Sequence, residues 1–161
     1  DLFVYPYPAG APFPIHNKDA KAAFIGLTLE HDQFDLARAL MEGVAFGVRR
    51  AADEFQKNGS PIQSISMMGG ASKSPVWIQM IASASGIPIK QLQCSDACAM
   101  GAAMIAACAL GIYPDYAAAA EKMVCVKKVF TPKPDEVKWY SEKFSKFDKL
   151  WNKLDSFYKG E

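Results

Sequence analysis

The chain has 161 residues, half of them hydrophobic and 22% charged. That is enough apolar side chain to offset the entropy of one ordered domain, expected to span residues 1–161, and too little length for two large ones. Eighteen basic and 17 acidic residues leave a net charge of +1, so no broad positive field steers a polyanion, and nucleic acid is not an expected partner.

The opening DLFVYPYPAGAPFP carries Pro6, Pro8, Pro12 and Pro14, which remove amide donors and hold the backbone extended. One short strand, Leu2 to Tyr5, and a stiff loop are expected. Ala22 to Leu27 is apolar up to Thr28 and reads as a short strand or a tucked-in loop. From Gln33 to Lys57 the residues Phe34, Ala37, Leu40, Met41, Val44, Ala45, Val48, Ala51, Ala52 and Phe55 recur at spacings that predict one apolar face of a long helix. Asp32 suits its N-cap, and Asn58-Gly59 suits its end.

Pro61 opens IQSISMMGG, a buried strand running into a tight glycine turn. Ser74 before Pro75 is a serine N-cap followed by proline at the first helical position, predicting a helix from Pro75 to Ser85 that Gly86 stops. Ile87 to Leu92 is a second short strand. Asp96 caps a helix from Ala97 to Leu110, and strand, helix, strand, helix is the order that builds a parallel sheet. A short helix from Tyr116 to Met123, the strand-like VCVKKVF and a loop at Pro132 and Pro134 follow. In the last element, Asp135 to Tyr158, the residues Tyr140, Phe144, Phe147, Trp151, Leu154 and Tyr158 form one helical stripe, expected to face the core with the lysines solvated.

The apolar stretch from Ala97 to Ile112 falls short of the roughly 20 residues that span a bilayer. A buried helix is expected there, with no membrane association. Cys94, Cys98, Cys108 and Cys125 have no C-x-x-C spacing; they read as small, buried, free thiols of a cytoplasmic protein in which no leader segment is evident. Cys94-x3-Cys98 lacks the second pair or nearby histidine that a metal site requires, so none is expected.

Chemistry concentrates in Met68-Gly69-Gly70-Ala71-Ser72-Lys73-Ser74-Pro75. Glycines allow backbone to approach a ligand with no Cβ between them, and a helix start offers unpaired amides to an anion, which together fit a nucleotide. The segment matches neither of the common phosphate-loop patterns, and by itself it also reads as a plain turn. A second candidate is Asp96 to Ala103, where Gly101 and its small neighbours permit close approach of a flat ligand or of another backbone. Glu42, beside Met41 and Val44, is a third; it is either buried and hydrogen-bonded or at the helix boundary facing water. His16, His31, Asp19 and Asp32 fall in turns without a nucleophile partner, so no catalytic set is expected in this chain.

Taken in order, AAFIGLTLEH, ARALMEGVAFGVR, MMGGASKSPVWIQMIASASGIPI and DACAMGAAMIAACALGIY, with a Phe-Thr-Pro turn and an aromatic last helix, resemble the C-terminal region of the FGGY carbohydrate kinases, xylulokinase-type members above all. The resemblance covers almost the whole chain. It implies an α/β fold of the ribonuclease-H-like kind shared by actin, sugar kinases and Hsp70, here a lobe incomplete at its N-terminal end. It further implies a kinase that uses ATP and Mg2+ on a sugar or polyol such as xylulose, with Gly69, Gly70, Ala71 and Ser74 holding the adenosine.

Many members carry an adenine-contacting Asn where this chain has Ser74, and Gly-Glu-Arg where it reads Gly10-Ala11-Pro12. The sugar-binding lobe, the catalytic aspartate, the Gly-Thr phosphate turn and most of the metal site would all lie before Asp1. The partners implied are that lobe and the sugar, and the chain alone is expected to be inactive and to self-associate through uncovered edges. A non-catalytic α/β binding or regulatory module, or an actin-like ATPase relative with an iron-sulfur cluster, are the alternatives.

Overall fold

The structure, a computed structural model, describes residues 1–160. Strand β1, Phe3–Tyr5, is wholly buried and pairs antiparallel with β2, Ala23–Ile25, setting Phe3 opposite Ile25 and Tyr5 opposite Ala23. The proline-rich connection is pinned by the buried Asn17. Its side-chain oxygen accepts from the amides of Asp19 and Ala20, and its Nδ2 donates to Asp155 at 2.6 Å.

Helix α1, Gln33–Lys57, starts at a reciprocal cap in which Asp32 accepts from the amides of Phe34 and Asp35, while Asp35 accepts from the Asp32 amide. It crosses β1 at Gly43, where a Cβ would fall 2.2 Å from the Val4 carbonyl oxygen. Only glycine permits that approach.

Strands β3, Ile65–Met67, and β4, Ile89–Leu92, run parallel, and β5, Val126–Phe130, adds antiparallel to β4. The strand order is β3-β4-β5, so the parallel pair expected from strand-helix-strand is present and an antiparallel edge follows it. Helix α2, Pro75–Ser85, begins with Ser74 accepting from the Trp77 amide and ends at Gly86 in the left-handed region. It packs against α1, β4 and the last helix, α5, Pro134–Lys159.

The core gathers Tyr5, Phe46, Ile78, Ile81, Ile89, Phe130, Phe147 and Trp151. Tyr5 stacks on Phe147 with ring centroids 4.4 Å apart, and its hydroxyl donates to the Phe147 carbonyl at 2.8 Å. Burial pushes the Tyr5 phenol far above its ordinary range. The aromatic stripe of α5 faces inward as its spacing requires, with Tyr140, Phe147 and Trp151 buried.

Three expectations need correction. Helix α3, Ala97–Ala109, contains no buried residue, and Ile105 and Leu110 are exposed; so is Ile112 just beyond it. Its apolar composition called for burial on all sides, but it packs chiefly against one short helix, α4, Tyr116–Met123. The cysteines are not buried either: Cys98 and Cys125 are exposed, Cys94 and Cys108 half-buried; Cys98 and Cys108 sit on that uncovered helix, Cys94 in the loop before it and Cys125 in the connection from α4 to β5. On α1 the inward residues are Ala39, Glu42, Gly43, Ala45, Phe46 and Ala52, whereas Phe34, Leu40 and Phe55 are exposed. The helix is wedged between β1 and α2, so its contact face is set by Gly43 and Phe46 and not by the widest run of apolar spacing. No helix among the described residues is long and apolar enough to cross a membrane.

Candidate functional site

The glycine segment is a shaped corner at the end of β3. Gly69 takes φ +82°, a conformation that a side chain would strain. The next four residues, Gly70–Lys73, form a short 3-10 helix before Ser74 caps α2, so a second helical start stands where the sequence predicted a plain turn. The Gly69 carbonyl accepts from both the amide and the hydroxyl of Ser72, the latter at 2.7 Å, and the Ser74 amide donates to the Ala71 carbonyl. Gln91, buried on β4, donates from Nε2 to the Ser72 carbonyl at 2.7 Å. Below the corner, Trp77 donates from its indole to the Met41 carbonyl, tying α2 to α1.

A Cβ built on Gly69, Gly70 or Gly101 meets nothing within 4 Å. The corner therefore presents open backbone to whatever approaches it. Gly70 and Ala71 open a 3-10 helix, so their amides have no intrahelical acceptor and are available to an acceptor on a ligand. Ser74 differs: its hydroxyl oxygen is held by the Trp77 amide at 3.3 Å, which fits a capping role.

The structure brings the first two candidate segments together. The Gly69 amide donates to the Ser95 carbonyl at 2.9 Å, so the loop that leads into α3 is bonded to the glycine corner. Asp96, beside it, is committed to the α3 cap through the Ala99 amide at 2.9 Å. Among the described residues no group of three or more His, Cys, Asp or Glu is placed to hold a metal ion.

Glu42 lies elsewhere and is buried. It pairs with Lys143 at 2.5 Å and Arg38 at 3.0 Å, and the Lys143 side chain is only 13% exposed. This resolves the two sequence readings of Glu42 in favour of a buried, hydrogen-bonded carboxylate. Lys143 is the exception to the solvated lysine face of α5. His31 bonds to Thr28 in a local turn, His16 is exposed with φ +55°, and Asp19 is exposed.

Sequence reasoning missed Gln91 and Lys143. The signal for Gln91 was available: it shares the two-residue period of Ile89 and so points to the buried face of β4. Lys143 carries no such signal, because its partner lies 101 residues away.

Residues 1–110 match the model of the FGGY family of carbohydrate kinases, C-terminal domain. An FGGY carbohydrate kinase domain-containing protein of Xenopus laevis is 33% identical over 153 residues, covering 93% of this chain and 28% of that protein. A xylulose kinase of Staphylococcus epidermidis is 29% identical over 150 residues, covering 93% of this chain and 30% of its own length. The crystal structure of a ligand-bound xylulose kinase from Lactobacillus acidophilus superposes with a TM-score of 0.85 at 30% identity, over 99% of this chain and 32% of that one. The chain thus spans under a third of the length of these relatives, and its fold is that of the sugar kinases in the actin and Hsp70 superfamily. With two thirds of its length matched to the family's C-terminal domain and its glycine corner set in that fold, the chain belongs to the FGGY family of carbohydrate kinases.

Proposed function

We propose that residues 1–161 act as one domain, the nucleotide-binding part of an ATP-dependent carbohydrate kinase that transfers the γ-phosphoryl group to a hydroxyl of a sugar or polyol such as xylulose. Gly69, Gly70, Ala71 and Ser74 are the residues assigned to the adenosine. The observation that carries the reading is the open face of the corner: a backbone conformation reserved for glycine, with nothing within 4 Å of either missing Cβ.

ATP fits this chain's residues in that sense, and when bound it supplies the phosphoryl group. Gly69 holds the backbone in its turned conformation, Gly70 and Ala71 offer free amides, and the Ser74 cap fixes where α2 starts. The bond from Gly69 to Ser95 keeps the corner in one position before the nucleotide arrives, so less ordering entropy opposes binding. Mg2+ does not fit in the same way: the nearby Asp96 is occupied as a helix cap, and no step is assigned to a metal here. No residue of this chain is assigned as the catalytic base. Phosphoryl transfer depends on an oriented hydroxyl and positioned phosphates, and the partner lobe carrying those groups, with the sugar, completes the proposed enzyme.

Gly70→Val tests the reading. A Cβ there meets no protein atom within 4 Å, so the fold should survive, while ATP affinity in the complete kinase should fall by roughly tenfold or more. Unchanged affinity with an intact fold would overturn the assignment.

A further inference from the structure

Next to the glycine corner lies a cavity of about 420 Å³ lined by Ser72, Lys73, Gln91, Lys127, Lys128 and Phe130, among others. Three lysines converge on it from two elements, Lys73 from the 3-10 helix and Lys127 and Lys128 from β5. Neighbouring residues of a regular strand point to opposite faces. Here the register slips opposite Gln91 and Leu92: Gln91 pairs with Lys128, and Leu92 with Val126. Lys127 is the extra residue of that bulge, and such a bulge re-aims side chains, which explains how two consecutive lysines line one cavity.

Lys128 shares the Gln91 face of the sheet, with its ammonium 4.7 Å from the Phe130 ring centre. Among the described residues, none of the three lysines has a carboxylate partner. All three are exposed, and no Asp or Glu lines the cavity with them. Buried Gln91 braces the Ser72 carbonyl as part of the cavity wall.

We propose that this cavity is an anion site that takes the phosphate group of a small molecule. Three lysines on one cavity whose lining has no carboxylate form a positive patch, and a phosphate dianion there gains their attraction and accepts their hydrogen bonds. The phosphate arrives either on a free phosphate compound or as the tail of a nucleotide seated at the adjoining corner. The site does not depend on the adenosine assignment, because inorganic pyrophosphate alone can probe it.

The test is an NMR titration of the amides of the protein with inorganic pyrophosphate, with adenosine and with ATP, at constant ionic strength. Pyrophosphate is expected to give saturable shifts confined to Ser72, Lys73, Gln93, Lys127 and Lys128. Lys127→Gln with Lys128→Gln should weaken it by roughly tenfold while leaving the remaining spectrum, and so the fold, unchanged. Shifts at these residues from ATP but not from pyrophosphate would also support the site and identify the source as the nucleotide tail. Shifts spread over the surface lysines, equal competition by chloride, or unaltered binding in the double variant would overturn it. Adenosine reports on the corner separately: a response at Gly70 and Ala71 without any phosphate response would retain the nucleotide reading and reject this one.

Discussion

At Gly43 a missing methyl group sets the distance between α1 and β1. A Cβ there would sit 2.2 Å from the Val4 carbonyl and 3.2 Å from the Pro6 ring, and backbone cannot yield as a flexible side chain does. Gly43→Ala should therefore destabilise the fold by about 3 kcal/mol, near the upper end for overpacking, read as a lower urea midpoint. Glu42 poses the complementary electrostatic case. Removing its charge leaves the half-buried Lys143 without its counter-ion, so Glu42→Gln should cost about 2 kcal/mol, below the range for a fully buried pair. Adding Lys143→Met should recover part of that loss, because the second change removes the stranded charge. A double variant as unstable as the sum of the singles would mean that the pair is not coupled. Both effects are invisible to spacing rules, since Gly43 and Glu42 gain their meaning from chain segments far away in sequence.

For whole elements, the docking of the α5 N-terminus depends on Glu136. Its carboxylate accepts from Lys133 at 2.7 Å and from the Ser83 hydroxyl at 2.6 Å, and the Lys133 bond, then the Ser83 bond, lower its pKa below the ordinary 4.5. A lowered folded-state pKa gives stability that is fully present above the unfolded value and is lost as pH falls through the folded one. Stability should consequently drop on acidification below about 4.5, and Glu136→Gln should flatten that part of the curve of urea midpoint against pH. An identical acid limb in the variant would remove Glu136 from the account. Helix α5 was legible from its four-and-three aromatic spacing, and α2 from its Ser-Pro start and Gly stop, because caps and stripes are local. The inward face of α1 was legible only in part: Met41, Ala45, Val48 and Ala52 face the core as expected, but apolar residues occur around much of its circumference and only the neighbours choose among them.

Across the whole molecule, apolar surface is unevenly covered. The side built from β1, α1, α2 and α5 encloses an aromatic core, whereas α3 lies open and β3 has one strand edge unpaired among the described residues. An open edge and an uncovered apolar helix favour association with another surface. The isolated chain should accordingly self-associate as concentration rises, seen as an increasing weight-average mass in sedimentation. A monodisperse monomer at high concentration would show that α3 is covered by other means.

The sequence by itself determined the order of elements, nearly all of their bounds, the caps at Asp32, Ser74 and Asp96, the glycine corner and, through the ordered resemblance, the kinase family. These are properties of neighbouring residues, where periodicity, missing Cβ atoms and capping side chains act over one or two turns. Only the tertiary structure decided that Glu42 is an internal ion-pair partner of Lys143, that α3 and its cysteines are open, and that a bulge in β5 lets two consecutive lysines line one cavity. Each of those depends on which distant segment arrives within a few ångströms, and that is set by the packing of the whole chain.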